Sequence, residues 1–447
     1  MISNRFCSLL SLLVLTVLMT SILSAQQHST TLVFPTKKHS PIRKATGTHL
    51  FFAVGSATSV DNPQGTAVVK LSALDDTTTE KDDDELTVYG INAGKNEIIY
   101  NTSLFNIEIY RHEPGAPGAL NNPRGIAADR DGNVYVADMG NHRILHLVNR
   151  EGKNLVYHRS SSPGNPDFTP FGVALTNEGT LFVTDSTGGK IWKWIPDSDS
   201  WEPVLKDLNT PLGICTYDAR DRWTHHNSSQ LGIITDAGSQ VLLTDYQGEV
   251  EYRYKPAEKN VRFRYIAADY YNNYYLTDAQ GSRIIKINRS GKFVDTIGER
   301  GKGDYQFLRP QGISIWKRFG QVCVAESYAA QYYLIGTDIL SPSVESRKEG
   351  LQLSFQVTER ARVTITARHI QTDSTFTMVS ERPARQGEFS IFWPYPESFP
   401  TGRYLIDITA VPSYSSTKYF QAKHQFTWDF QAESNSNIQS RAEERHE

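Results

Sequence analysis

Asn122-Pro-Arg-Gly-Ile-Ala-Ala-Asp129, then Asn133-Val-Tyr-Val-Ala-Asp138-Met-Gly-Asn-His-Arg-Ile144, reads as a tight turn, a strand, a Gly-containing hairpin, a second strand closed by an acid, a short turn and a third strand. The phrase returns along the chain. Its closing residue aligns with Asn92, Asp138, Asp185, Asp236, Asp278 and Glu326, at steps of 46, 47, 51, 42 and 48 residues. Six positions after each anchor stands an aliphatic or aromatic residue: Ile98, Ile144, Ile191, Leu242, Ile284 and Tyr332. Upstream lie Pro63-Gln-Gly65, Pro123-Arg-Gly125, Pro170-Phe-Gly172, Pro211-Leu-Gly213 and Pro310-Gln-Gly312, with Phe263-Arg-Tyr265 as a degenerate sixth. A period of about 40 to 50 residues with roughly four strands per unit predicts a β-propeller and excludes a helical solenoid.

The wording of the repeat resembles the NHL-repeat family, whose Asn-His-Leu appears here as Asn141-His142-Arg143. The resemblance covers roughly residues 48–338. It implies a propeller fold and leaves function open, because the family includes lyases, RNA binders, scaffolds and secreted proteins. Ring closure is also legible. The last repeat supplies three strands, while Thr48–Gly55 precedes the first Pro-x-Gly with no repeat of its own. That segment is expected to complete the last blade, giving a six-bladed propeller over residues 48–340 without a large open edge.

Residues 1–25 read as a secretory signal peptide, with Arg5 before an apolar run from Leu9 to Leu23 and Ser24-Ala25 as the cleavage site. A lead segment, 26–47, follows. The mature chain keeps Cys215 and Cys323 in strands of different repeats, so two buried free thiols are expected. An exported chain without a disulfide framework points to a bacterial source, in the periplasm or at the cell surface. No span of a membrane remains after signal cleavage, and a monomer is expected. The formal net charge of −3 offers no basic excess to attract phosphate backbones, which argues against nucleic acid.

After Asp338 the repeat stops. Alternation resumes at Leu351, Leu353, Phe355 and Val357, then Ala361, Val363, Ile365 and Ala367, and predicts a β-sandwich over 341–430. Gly387-Glu-Phe-Ser-Ile-Phe-Trp393 and Pro400-Thr-Gly-Arg-Tyr-Leu-Ile406 resemble the immunoglobulin-like domain of flagellar-hook-cap type. The resemblance implies a spacer or attachment module. Residues 431–447 hold one aliphatic residue, Ile438, and read as a flexible polar tail.

Candidate chemistry is sparse. The anchor acids each end a second strand, where their oxygens can accept N–H bonds from neighbouring turns. Asp129-Arg-Asp131-Gly132-Asn133 opens like a calcium loop but lacks the twelfth-position acid, and Asp-Gly suits a hairpin turn. The Asp75–Glu85 run reads as a solvated insertion. No recurring His pair suits zinc on the inner strands, and His225-His226 fall in a hairpin insertion of the fourth repeat. No cofactor, metal or catalytic residue is expected. A propeller gathers the loops that enter its innermost strands around the channel mouth. The middle residues of the six Pro-x-Gly copies are therefore expected to converge as a binding patch: Gln64, Arg124, Phe171, Leu212, Arg264 and Gln311. Arg143, Lys190 and Arg283 are expected to add positive charge. The reading is an exported, non-enzymatic binding or scaffold protein engaging a protein or a polar or anionic envelope ligand. The alternative is a metal-dependent propeller enzyme, a lyase or lactonase, with its site in the channel.

Overall fold

A computed structural model describes residues 28–75, 86–103, 106–397 and 399–431. The expected signal peptide, most of the Asp/Thr-rich insertion and nearly all of the expected C-terminal tail lie outside the described residues. The described chain is dominated by β-strands, and the described residues up to Ile335 form a β-propeller.

Five four-stranded antiparallel sheets take their strands in chain order. The first sheet holds Pro63–Val69, Thr87–Asn92, Glu97–Asn101 and Ile107–Tyr110; the second Ile126–Ala128, Asn133–Asp138, Arg143–Val148 and Val156–Ser161. The third holds Pro170–Leu175, Leu181–Asp185, Lys190–Ile195 and Ser200–Leu205; the fourth Ile214–Tyr217, Gln230–Thr235, Gln240–Thr244 and Val250–Tyr254. The fifth holds Phe263–Ala268, Tyr274–Asp278, Arg283–Ile287 and Phe293–Ile297. A sixth sheet has Pro310–Trp316, Gln321–Glu326 and Ala329–Ile335. The first strands of these sheets touch one another in chain order, and the sixth returns to the first.

The sixth sheet is completed from the N-terminus, but not by Thr48–Gly55. Two short strands, Leu32–Val33 and Lys44–Thr46, pair antiparallel with Ala329–Ile335. Leu32, Val33 and Phe34 are buried, and Phe34 stacks on Tyr333 at 4.6 Å. The expected closing segment instead forms a helix, Gly47–Val54. Its first turn is fixed by the Thr46 N–H donating to Nδ1 of His49 at 3.2 Å, and Gly55 ends it with φ 62°. None of its residues is buried, and Phe52 is 82% exposed. The ladder needs only one outer strand, and the earlier Thr-Leu-Val-Phe run has already filled that place.

The Pro-x-Gly glycines explain how the innermost strands approach so closely. A Cβ on Gly65, Gly125, Gly172 or Gly213 would lie 2.6 to 2.7 Å from the carbonyl oxygen of Arg124, Phe171, Leu212 or Arg264. On Gly312 it would lie 2.4 Å from the carbonyl of Gln64. Each glycine thus backs onto the next sheet's turn, where no side chain fits.

The anchor residues tie the entry loop of a sheet to its second turn. Asp138 accepts from the Asn121 N–H (2.7 Å), Asn141 Nδ2 (2.8 Å) and Arg143 Nε (2.8 Å). Asp185 accepts from the Thr169 and Gly188 N–H groups, both at 3.0 Å, and Asp278 from those of Arg262 and Gly281. Asp236 departs from the pattern: it is half-buried, with left-handed φ 53°. Cys215 and Cys323 are buried and free, as expected.

Beyond the ring, the strands Ile339–Arg347, Gly350–Val357 and Gly387–Pro394 form one sheet. Thr375–Ala384, Ala361–His369, Gly402–Pro412 and Ala422–Phe430 form another. They share one core, with Leu351, Leu353 and Phe355 from the first and Ile365, Tyr404 and Trp428 from the second. Ser341-Pro-Ser does not break the chain; it lies in the first strand, at a shift of register between Leu340 and Ser343 that accommodates the proline.

The two units meet over buried polar groups. Lys286 Nζ lies 2.6 Å from Glu359 Oε2, with both side chains fully buried, and also donates to the Thr358 carbonyl at 2.8 Å. Asn273 Nδ2 donates to Glu359, and Gln386 Nε2 to Asn273 Oδ1 at 2.8 Å. On the other side Ser416 Oγ donates to the Ile335 carbonyl at 2.6 Å.

Candidate functional site

The loops entering the innermost strands do bring the six expected residues to one end of the channel, but not as an open patch. Gln64, Phe171, Leu212 and Gln311 are buried, and only Arg124 and Arg264 are half-exposed. The cause is Tyr265. Where five repeats carry glycine, the fifth sheet carries this tyrosine, and its side chain crosses the lumen. Its hydroxyl donates to Gln64 Oε1 at 2.9 Å and lies 3.3 Å from the Arg124 carbonyl, on the first and second sheets. Its ring packs 5.5 Å from that of Phe171 on the third. A copy that reads as degenerate in sequence therefore closes the channel. Burial raises the phenol's pKa, so it stays a neutral donor.

Above Tyr265 two guanidiniums remain. Arg264 lies over the Phe171 ring, 5.0 Å from its centroid. Arg124 Nε is shielded from solvent and has no hydrogen-bond partner. Burial, and after it the nearby positive charge of Arg264, destabilise the Arg124 cation, while Tyr265 opposes them. Buried donors without acceptors are costly. The extra cations expected on this face are engaged elsewhere: Arg143 with Asp138 and the Ala119 carbonyl, and Arg283 with Asp278 and Glu258. Lys190 lies over Trp192.

Below Tyr265 the lumen is open. A cavity of about 600 Å³ is walled by the innermost strands of all six sheets and opens among their first hairpins, on the face opposite the arginines. Its wall residues three steps past the glycine position are Val68, Ala128, Leu175, Thr216, Ala268 and Ile315, none of them ionisable. The wall hydroxyls are bonded: Thr66 to Ser314 at 3.0 Å, and Thr216 to the Leu175 carbonyl at 2.7 Å. Charged groups appear only at the rim. One rim turn is the Asp129–Asn133 hairpin, where Asp129 accepts from the Asp131 and Asn133 N–H groups at 3.0 and 2.8 Å. Its carboxylate thus holds the turn. Among the described residues, no group of three His, Cys, Asp or Glu side chains is placed to hold a metal ion. His225 and His226 donate their backbone N–H groups to the Tyr217 hydroxyl at 2.7 and 2.8 Å, and so position the fourth sheet's insertion. No helix among the described residues is long and apolar enough to cross a membrane.

The NHL repeat family matches residues 120–147. Solved propeller structures are similar at low identity. Virginiamycin B lyase from Staphylococcus aureus is 18% identical over 56% of this chain and 77% of its own, with a TM-score of 0.42. A streptogramin B lyase is 14% identical over 62% and 94%, with a TM-score of 0.42. A gluconolactonase from Xanthomonas campestris is 11% identical over 65% and 93%, with a TM-score of 0.44. No curated protein matches the chain in sequence.

Proposed function

We propose that this is an exported, monomeric, non-enzymatic binding protein: a six-bladed propeller that engages an anionic group of a protein or polar ligand of the cell envelope. An immunoglobulin-like sandwich is seated against the fifth and sixth blades as its attachment module. The observation that carries the reading is the arginine pair at the closed end of the channel. Arg124 keeps a shielded, unpartnered donor, and Arg264 is braced on Phe171 beside it. A carboxylate or phosphate seated between them would supply the missing acceptor and relieve the repulsion between the two cations. The buried Gln64, Leu212 and Gln311 act beneath this site as its support.

The test is recovery of partners from the native envelope fraction by the wild-type mature protein and by the Arg124→Ala/Arg264→Ala variant. Each lost charge-assisted bond should weaken binding by about 1.5 to 3 kcal/mol, roughly ten- to hundredfold. Equal recovery of every partner would move the site off this face. Stoichiometric zinc or calcium that survives dialysis of the purified protein would overturn the non-enzymatic reading in favour of the metal-dependent enzyme.

A further inference from the structure

The cavity on the opposite face lies apart from the arginine pair. Two steps past the glycine position every innermost strand carries a small side chain: Ala67, Ala127, Ala174, Cys215, Ala267 and Ser314. That ring keeps the lumen wide, and Tyr265 makes it blind. The result is a cup whose wall side chains are small and uncharged, with hydroxyls already bonded and the Cys215 thiol kept neutral by burial, the form of a pocket for the body of a small molecule.

Its mouth is not apolar. The hairpin insertion of the fourth sheet reaches past the fifth, with the His225 N–H donating to the Tyr270 carbonyl at 3.0 Å, and meets the first hairpin of the sixth. There Arg222 and Arg318 lie 4.4 and 4.8 Å from the ring of Trp223, and Lys317 pairs with Asp221 at 3.6 Å. Arg222 and Arg318 thus flank Trp223, while Lys317 and Asp221 neutralise each other. Asp218 accepts the backbone N–H groups of Asn177 and Arg220 at 2.9 and 3.0 Å, and its charge is met by the Arg220 side chain at 3.4 Å. Asp131 stands on the far lip beside Arg130. Two donors at this mouth are shielded and have no partner, Trp223 Nε1 and Arg130 Nε. No shielded side-chain acceptor without a partner lines the cup among the described residues.

We infer that the cup binds an amphipathic anion, with its apolar body in the lumen and its acidic head at Trp223, Arg222 and Arg318. Unpartnered donors select a head that only accepts, and the two guanidiniums flanking Trp223 select a negative one. Small wall residues and the Tyr265 floor limit the ligand to one slender apolar chain or ring system.

Calorimetry on the full mature protein with decanoate, decan-1-ol and decyltrimethylammonium tests this. Decanoate should bind one per chain, decanol about ten- to hundredfold more weakly, and the ammonium compound not measurably. Ala267→Phe should abolish decanoate binding by filling the lumen; if that variant fails to fold, Ala128→Phe nearer the mouth serves the same purpose. Arg222→Ala/Arg318→Ala should reduce decanoate to the level of decanol. Equal binding of all three head groups, or undiminished binding to a folded lumen-filled variant, would overturn the assignment. So would preference for an apolar peptide over decanoate. Arg124→Ala/Arg264→Ala should leave decanoate binding unchanged, which separates this site from the arginine pair.

Discussion

Tyr265 donates its hydroxyl to Oε1 of Gln64 over the channel, past the intervening sixth sheet, at 2.9 Å. The bond links the fifth sheet to the first, so one substituted glycine both ties non-adjacent sheets of the ring and divides its lumen. Tyr265→Phe should leave the buried Gln64 oxygen without this donor and cost about 1 to 3 kcal/mol. Tyr265→Gly, which restores the repeat, should cost more, about 3 to 5 kcal/mol, as truncation of a buried aromatic does. Urea unfolding of the two variants measures both; a Phe variant as stable as wild type would mean that the bond contributes nothing.

Closure of the ring should depend on Leu32 and not on the exposed helix. Leu32→Asp buries a charge against Ile335 and frees the edge of Ala329–Ile335, so aggregation on size-exclusion chromatography is expected. Phe51→Ser/Phe52→Ser should change stability by no more than about 0.5 kcal/mol, because neither ring is buried. The reverse outcome would place closure at the helix.

The two units should unfold together. Lys286→Met leaves Glu359 buried without its cation and should cost about 3 to 5 kcal/mol, most of which Lys286→Met/Glu359→Leu should restore. Residues 341–346 lie within a paired strand, so limited proteolysis should spare them. The break in the sequence pattern at Ser341 suggests instead a cleavable junction between separately folding pieces. Two calorimetric transitions, or a cut there, would support that view against the interface.

Stability should also fall as pH rises toward neutrality. Asp269 is fully buried, and burial first, then the Glu359 charge, raise its pKa from the usual 3.8 to about 7, while Lys286 and its bonds to Asn273 oppose the rise. Tyr275 and Tyr414 pack near it as neutral groups, their own pKa values raised by burial. Between those two values the native state holds a proton that the unfolded chain has released. Stability from this site therefore decreases with pH across that window, and the whole deficit is present above it. The Tm of wild type should drop relative to Asp269→Asn between pH 5 and pH 8. Parallel pH profiles would show that Asp269 is ionised throughout.

Much of the architecture was legible because it rests on periodicity. Strand spacing, anchor acids and Pro-x-Gly turns recur by chain position, and each is a local demand: an acid that satisfies turn N–H groups, a glycine where a carbonyl leaves no room for Cβ. The alternation from Leu351 onward was legible for the same reason, since one face of each strand must be buried. The closing strand was misplaced because Leu32–Val33 and Leu50–Val54 are both short apolar runs. Pairing with Ala329–Ile335, almost the whole ring away, decides between them.

The sequence by itself determined a repeat of sheets whose inner turns converge, and named the residues at that convergence. Only the tertiary structure decided that Gln64, Phe171, Leu212 and Gln311 would be buried there, because a single tyrosine of the fifth sheet fills the space they surround. It also decided that Trp223, Arg222, Lys317 and Arg318 would form one rim, from hairpins nearly a hundred residues apart. Repeats fix what each segment does to its neighbours. What crosses the lumen depends on the departures from the repeat, and their partners are set by ring closure rather than by spacing along the chain.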